Sequence, residues 1–295
     1  MLKLRDWIDI NKLNWNSLSL NPNAIELLKE NRNNIDWYNL SLNPNAIELL
    51  KKNKNKINWR YLSNNINAIY ILTQNQDKIN WSFLSKNLNA IELLKKNRNK
   101  INWDLMSENP NAVELLKENQ DKINWEYLSL NINAINLLKE NKNRISWSDL
   151  SSNPNAIKLL KKNQNKIDWD YLSENPNAME LLKENQDKII WEYLSLNPNA
   201  IELLKKNQNK IDWELLSANP NAISLLKKNQ DKIEWYYFST NPNIFTYDYE
   251  QMKENMKNSG IVEELMAVIF HPKNMNKWKN WGFTEHVEML EFINN

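Results

Sequence analysis

Apolar positions recur along most of this chain with a period of 22 residues. Each period contains a tryptophan with a leucine three residues later, and then a second apolar stripe of the form Ala-Ile-x-Leu-Leu. The period holds in eleven consecutive copies without an insertion, and it indicates an array of stacked supersecondary units. The periodic tryptophans are Trp15, Trp37, Trp59, Trp81, Trp103, Trp125, Trp147, Trp169, Trp191, Trp213 and Trp235.

The first helix of each unit is predicted to begin at the tryptophan. A polar residue such as Asp36, Asn58 or Asp168 precedes it, and such a side chain caps a helix by accepting a hydrogen bond from an unpaired backbone N–H. Residues three apart share a helix face, so the tryptophan and the leucine pack on the same side. The helix can extend for only about two turns, because the Asn-Pro-Asn segment follows and ends it.

The pattern Asn-Pro-Asn-Ala-Ile-x-Leu-Leu-Lys predicts the second helix of each unit. In the eighth copy, Asn175 is the predicted N-cap, and Pro176 occupies the first helical position, where its missing N–H costs nothing. Leu181 and Leu182 contribute to the apolar stripe. Asn185 follows the helix, and asparagine often replaces glycine in a left-handed C-terminal residue. The sequence therefore predicts a left-handed conformation there.

The pattern predicts an all-α fold, an α-solenoid of eleven 22-residue two-helix repeats with capping helices at both ends. Residues 1–14 are interpreted as an N-terminal cap, with Trp7 and Leu13 available to cover the first repeat, and residues 15–243 as the solenoid. The handedness of the superhelix stays open. The fixed asparagines fit caps and turns better than ligand contacts, because they stand where the loop backbone needs partners.

The aperiodic segment 244–295 is predicted to be a C-terminal helical cap or docking segment. It contains an apolar helix from Ile261 to Phe270, bracketed by Gly260 and Pro272. Two amphipathic segments are expected beyond it, separated at Gly282.

Composition narrows the possible functions. The chain has 38 Lys+Arg against 36 Asp+Glu and no cysteine, which gives no strong overall field for anions and no thiolate chemistry. The N-terminus lacks the apolar core of a signal peptide, and no apolar run reaches the length of a membrane span. We therefore expect an intracellular protein without membrane contact.

No catalytic motif is present. The histidines are His271 and His286; the first is expected to pack or cap at a helix end, and the second has Glu285 and Glu288 nearby without the further partners that a metal site requires. Phosphate loops, nucleophile elbows and zinc-protease motifs are missing. We expect neither an enzyme nor a cofactor.

The position two residues after the periodic tryptophan is often aromatic. This column is either packing between repeats or a contact stripe for a protein partner, and it supplies the candidate partner-binding residues. They are Tyr61, Phe83, Tyr127, Tyr171, Tyr193 and Tyr237.

Lysines also form columns, which suggests an alternative. Stacked repeats would place successive lysines about 8–10 Å apart, where they could follow a nucleic-acid backbone. The candidate contacts for this alternative are Lys161, Lys183 and Lys205. Glutamates three residues before the same column offer a simpler explanation, which is local pairing on the helix surface. The tryptophans are likewise expected to be structural rather than a stacking platform for bases.

The repeat resembles a known family. The unit Asn-Pro-Asn-Ala-Ile-x-Leu-Leu-Lys followed by Ile-Asp-Trp and Leu-Ser is similar to repeat proteins that giant DNA viruses of the mimivirus kind encode in many copies. The stretch from Val268 to Gly282 resembles the His-Pro tail of those proteins, with Lys273 and Asn274 where that tail shows a small residue and an arginine. The resemblance implies a viral helical repeat protein acting inside an infected host, in the cytoplasm or the virion. It implies no catalytic residue.

Three functions follow from these observations. The first is a protein-interaction scaffold whose variable columns select a host or viral protein. The second is a helical-repeat RNA-binding protein. The third is a structural component that self-associates end to end, because nearly identical units could continue the stack.

Overall fold

The computed structural model of the protein describes residues 2–269 and 271. Leu4–Phe245 form one compact unit that contains all the repeats, and the remaining described residues belong to a second unit. The predicted all-α repeat architecture is confirmed, with one pair of helices per 22-residue period through ten repeats and a single helix in the eleventh. We number the repeats 1–11, starting each at its periodic tryptophan.

Every repeat begins with a short helix, which we call the Trp helix. The Trp helices span Trp15–Leu20, Trp37–Leu42, Trp59–Asn64, Trp81–Lys86, Trp103–Ser107, Trp125–Leu130, Trp147–Ser152, Trp169–Glu174, Trp191–Leu196, Trp213–Ala218 and Trp235–Thr240. Repeats 1–10 continue into a second helix. The second helices span Ile25–Glu30, Ile47–Lys52, Ile69–Thr73, Ile91–Lys95, Val113–Lys117, Ile135–Glu140, Ile157–Lys161, Met179–Glu184, Ile201–Lys206 and Ile223–Lys228.

Single turns of 3₁₀-helix connect these helices. One set precedes each Trp helix, at Ile10–Lys12, Arg32–Asn34, Lys54–Lys56, Gln76–Lys78, Arg98–Lys100, Gln120–Lys122, Lys142–Arg144, Gln164–Lys166, Gln186–Lys188, Gln208–Lys210 and Gln230–Lys232. Another set lies in the Asn-Pro-Asn segment, at Pro44–Ala46, Pro110–Ala112, Pro154–Ala156, Pro220–Ala222 and Pro242–Ile244.

The predicted caps of the Trp helices are present. The Asp36 carboxylate accepts a hydrogen bond from the backbone N–H of Asn39 at 2.8 Å, and Asn58 accepts one from Tyr61 at 3.0 Å. The predicted N-cap role of Asn175 was wrong for the second helix, which begins at Met179 with Ala178 as its cap. Asn175 instead ends the preceding Trp helix, and its side chain accepts from the N–H of Asn177 in the turn.

The predicted left-handed residue at Asn185 was also wrong. Its φ is −132°, and no described residue other than glycine has a positive φ. The chain continues into a 3₁₀ turn instead of reversing. The side-chain amide of Asn185 donates to the carbonyl of Leu181 at 2.9 Å, so it satisfies a helix-end acceptor without the strain of a left-handed residue.

Buried serines and asparagines join successive repeats. In repeat 6, the Ser129 hydroxyl donates to the carbonyl of Trp125 at 2.8 Å and accepts from the N–H of Ser146, the residue before the next Trp helix, at 3.1 Å. Asn131 donates from Nδ2 to the carbonyl oxygens of Ser107 at 3.0 Å and Asn109 at 2.8 Å. This ladder recurs through the repeats and pairs backbone groups that would otherwise be buried without partners.

The repeats close into a ring. Each Trp helix contacts the Trp helix of the next repeat, and the Trp helix of repeat 1 contacts that of repeat 11 in the same way. The asparagine ladder continues across this junction, since Asn21 Nδ2 donates to the carbonyls of Ser239 at 3.0 Å and Asn241 at 2.9 Å. The solenoid has therefore no free end between repeats 11 and 1, a feature that the sequence did not predict.

The segment before Trp15 completes the last repeat, which has no second helix. Leu13 is 5 % exposed and Ile8 is 7 % exposed. Trp7 packs against Phe238 with ring centroids 5.8 Å apart, and the N–H of Arg5 donates to the carbonyl of Ile244 at 3.0 Å. Trp7 therefore packs on repeat 11, and Leu13 is buried directly before repeat 1. They lie between repeat 11 and repeat 1.

The rest of the described chain has little regular structure in common with the repeats. Strand Leu2–Leu4 pairs with strand Phe245–Tyr247. Helices follow at Tyr249–Asn258 and Ile261–Ile269, and the second of these confirms the predicted apolar helix as far as Ile269. The predicted amphipathic segments around Gly282 lie outside the described residues.

Candidate functional site

The side of the Trp helices that faces the ring axis is the candidate interaction surface. The Trp helices of adjacent repeats lie closer together than the second helices do, so they form the inner circle. Their third and fourth residues after the tryptophan are buried. The first, second and fifth residues after it point the opposite way on a helix of 3.6 residues per turn. We call these three positions the inner face.

The ring leaves room at its centre. Adjacent packed helices have axes about 8–10 Å apart and an overall diameter of about 10–12 Å. Eleven Trp helices in a closed circle therefore give an opening of roughly 20 Å between opposite helix surfaces. An α-helix or an extended segment of another protein fits this width.

The structure places all six aromatic candidates on the inner face, because the second position after the tryptophan belongs to it. Tyr171 is 45 % exposed and Tyr127 is 37 % exposed, whereas the other four are half-buried. The ring centroids of Tyr61 and Phe83 lie 6.0 Å apart. Tyr61 and Phe83 therefore pack between repeats 3 and 4, whereas Tyr127 and Tyr171 leave aromatic surface exposed in repeats 6 and 8.

Carboxylates dominate one part of the inner face. Repeats 5–10 place eight of them at its three positions and no lysine or arginine. We call this region the acidic arc. Its members are Asp104, Glu108, Glu126, Asp149, Asp170, Glu174, Glu192 and Glu214. The cations of the inner face, Arg60 and Lys86, belong to repeats 3 and 4.

Two groups near this arc have raised pKa values. Partial burial raises the pKa of the Glu174 carboxyl above its ordinary value, because burial disfavours the charged form. The negative charge of Glu214 raises the pKa of the Tyr237 phenol. Both shifts indicate a locally negative and partly desolvated surface.

The acidic arc was missed at the sequence level, although its strongest column was visible. The residue directly after the tryptophan is acidic in repeats 5, 6, 8, 9 and 10. Read as one column among several variable ones, it looked mixed in sign. The structure shows that this position and the fifth position after the tryptophan lie on one concave surface. Their acidic residues therefore form a single negatively charged region.

The lysine candidates lie on the second helices, away from the inner face. Lys161 forms an ion pair with Glu180 at 2.6 Å, and Lys205 forms one with Glu202 at 2.7 Å. Lys183 is exposed. The expected pairing of this column with the glutamate three residues earlier is found for Lys29, Lys51, Lys95, Lys117 and Lys205.

A second column of lysines, which includes Lys78 and Lys100, lies over the periodic tryptophans. In repeat 3 the Lys78 ammonium lies 4.8 Å from the centroid of the Trp59 ring, and in repeat 4 the Lys100 ammonium lies 4.4 Å from that of Trp81. Such cation–π contacts contribute about 0.5–1 kcal/mol at exposed sites. The tryptophans are half-buried, so their role is structural, with lysine stems covering the ring surface that the core leaves exposed.

Other kinds of site find no support in the described residues. Residues 2–269 and 271 contain no group of histidines and carboxylates that could hold a metal ion. Among the helices of the described part, none is long and apolar enough to cross a membrane. His271 is exposed, and His286 lies outside the described residues.

Comparisons with known proteins give no family for this chain. No protein-family model matches it, and neither a curated protein nor a solved structure does.

Proposed function

We propose that this protein is a non-enzymatic interaction scaffold whose inner face binds a cationic segment of a partner protein. The acidic arc with its exposed tyrosines carries this proposal. Its carboxylates attract lysine and arginine side chains over roughly 8–10 Å at moderate salt. The faces of Tyr127 and Tyr171 add cation–π attraction and apolar contact area.

The same arrangement disfavours RNA as the ligand. Phosphate backbones require positive charge along their path, and repeats 5–10 present only negative charge on the concave side. Six of the nine lysines in the column that contains Lys161 pair with glutamates. A polymer formed by end-to-end stacking is disfavoured as well, because repeats 1 and 11 occupy each other's free surfaces.

The cellular setting belongs to the same proposal. The resemblance of the 22-residue unit to repeat proteins of giant DNA viruses supports a role in an infected host cell, where the partner is a host or viral protein. This origin stays a prediction.

The binding proposal is tested with the full chain and labelled probes. Fluorescence anisotropy compares a helical peptide of lysine and alanine, its glutamate counterpart and single-stranded oligouridine. We expect the lysine peptide to bind, and the affinity to fall as salt is raised. Preferential binding of oligouridine would overturn the proposal.

Matched variants locate the surface. The triple variant Glu126→Gln, Asp170→Asn, Glu192→Gln removes three exposed carboxylates of the acidic arc, and we expect at least about tenfold weaker binding, or about 1.4 kcal/mol. The control variant Glu48→Gln, Glu92→Gln, Glu114→Gln removes the same charge from the second helices. Equal losses in the two variants would show that binding follows net charge and not the inner face.

A further inference from the structure

The second helix of repeat 3 differs from the other nine. It reads Ile69-Tyr70-Ile71-Leu72-Thr73, followed by Gln74. Every other repeat with a second helix has lysine at the position of Thr73 and either lysine or glutamate at the position of Gln74. Tyr70 is the only aromatic residue at its position and is 71 % exposed. The outer surface of the ring, otherwise strongly charged, is therefore uncharged and aromatic at this helix.

These substitutions leave the junction of repeats 2 and 3 without two carboxylates, each of which forms an ion pair at one other junction. Lys161 of repeat 7 pairs with Glu180 of repeat 8 at 2.6 Å, and the corresponding residues in repeats 2 and 3 are Lys51 and Tyr70. Arg98 of repeat 4 pairs with Glu118 of repeat 5 at 3.4 Å, and there the corresponding residues are Lys54 and Gln74.

A cavity of about 400 Å³ opens at this place, a volume within the range of small-molecule sites, about 300–1,000 Å³. Trp59, Tyr70 and Ile71 form its apolar wall, and its cations are Lys51, Lys54 and Lys78. No carboxylate is among the residues that line it.

The lysines of the cavity differ in whether their ammonium groups already have a partner in the protein. Lys51 pairs with Glu48 in its own helix at 2.7 Å, and Lys78 lies over the Trp59 ring. For the Lys54 ammonium, no hydrogen bond or ion pair is found within the described part of the chain. Gln74 lies beside these cations with its amide side chain on an exposed position.

We infer that this cavity binds a small phosphorylated molecule with a planar ring, of the mononucleotide class. Lysine is a common ligand of phosphate because its ammonium acts as a compact point charge. The exposed Tyr70 side chain offers an aromatic face on which a base can stack, as bases do on aromatic side chains in nucleic-acid complexes. The amides of Gln74 and Asn75 can donate to and accept from the polar edge of the ring.

Isothermal titration calorimetry of the full chain with AMP tests this inference at low ionic strength. Adenosine and inorganic phosphate are titrated separately, and we expect each to bind at least about tenfold more weakly than AMP. No heat with AMP at millimolar concentration would overturn the proposal. Binding of phosphate as tight as that of AMP would also overturn it, because the adenine base would then contribute nothing to the affinity.

The double variant Tyr70→Glu, Gln74→Glu locates the site. It restores residues that other repeats carry at the same positions, so folding is retained, and it supplies carboxylates for Lys51 and Lys54. We expect AMP binding to be lost while the thermal midpoint stays unchanged or rises. Unchanged AMP affinity in this folded variant would exclude the cavity.

We predict that a second site forms when tyrosine and glutamine are introduced at the positions of Tyr70 and Gln74 in another repeat. The junction of repeats 4 and 5 already contains Lys95, Arg98 and Lys122 at the corresponding positions. The double variant Glu114→Tyr, Glu118→Gln removes its carboxylates and adds the aromatic wall. We expect the AMP stoichiometry to rise from one to two per chain, and a stoichiometry that stays at one would contradict the assignment of these residues as the determinants.

Discussion

Buried asparagines carry the contacts that join one repeat to the next. Asn131 is fully buried, its amide nitrogen donates to the carbonyls of Ser107 and Asn109, and its oxygen accepts from the N–H of Asn133 at 3.0 Å. Asparagine is suited to this place because one side chain supplies two donors and an acceptor. The buried asparagine column therefore serves the contact between successive repeats.

We predict that Asn131→Asp strongly destabilises the protein at neutral pH. The carboxylate would face two carbonyl oxygens, and both would lose their donor in a buried site, which costs about 3 kcal/mol or more. Asn133→Asp is the matched control. Its amide is exposed and makes one bond, to Pro110, so its loss should stay near 1 kcal/mol. Urea unfolding at pH 7 measures both, and equal losses would contradict the ladder's importance.

The pKa of Glu174 gives a second prediction at the residue scale. Burial raises it above its ordinary value, so the folded protein binds this proton more tightly than the unfolded chain. This carboxyl therefore lowers stability above the folded pKa, and the cost disappears as the pH falls through that value. We expect Glu174→Gln to raise the free energy of unfolding at pH 7 and to change it less near pH 4. Glu126→Gln removes one negative charge from an exposed position of the same arc and is the matched control, and an equal effect of pH on both variants would contradict the role of burial.

At the scale of the element, helix starts follow the sequence closely. The polar residue before each tryptophan caps a Trp helix in most repeats, for example Asp212, which accepts from Leu215 at 2.9 Å. Repeat 9 is an exception, since Ile190 stands at this position without a capping bond. Its backbone N–H still donates to the Ser173 hydroxyl at 3.0 Å. The Trp helix of repeat 9 therefore lacks the side-chain cap but keeps the backbone hydrogen bond to the preceding repeat.

We predict that Ile190→Asn stabilises the protein by about 1 kcal/mol, the usual value of an N-cap bond. The reverse change in repeat 6, Asn124→Ile, should cost a similar amount, because Asn124 accepts from the N–H groups of Glu126 and Tyr127. Denaturant midpoints of the two variants provide the measurement. A loss of stability in Ile190→Asn would mean that apolar packing at this position outweighs the cap.

The sequence was sufficient where the physics is local. Period, caps and apolar stripe predicted the Trp helices, whereas the second helices were predicted from the period and the apolar stripe and with the wrong cap. Asn185 was mispredicted because asparagine can end a helix in two ways, and only the continuation into Gln186–Lys188 selects between them. Tyr70 was also missed, although a comparison of units column by column would have found it.

At the scale of the molecule, closure depends on a quantity that no single repeat reveals. Eleven equal steps complete a circle when each turns by about 33°, and an error of a few degrees per step would leave a gap or an overlap. Such small rotations arise from packing depth at every interface. These rotations cannot be predicted from the order of the apolar residues. The sequence pattern therefore predicted an open solenoid.

Deletion of residues 1–13 is predicted to open the ring. It removes the buried side chains of Ile8 and Leu13 and uncovers Phe238, with a cost of about 3–5 kcal/mol. Small-angle X-ray scattering should show a larger radius of gyration. Leu116→Ala, a fully buried change inside repeat 5, should cost about 2–5 kcal/mol without a change in size. An unchanged radius after the deletion would show that repeats 1 and 11 hold together alone.

Closure also determines how a bound segment can leave. A concave surface on an open solenoid releases its ligand sideways, whereas a circle of eleven helices surrounds whatever lies on its inner face. A partner with folded domains on both sides of the bound segment would be mechanically interlocked with this protein. Its escape would then require the contacts between repeat 1 and repeat 11 to break, so the lifetime of such a complex would follow the stability of the ring and not the affinity of the surface.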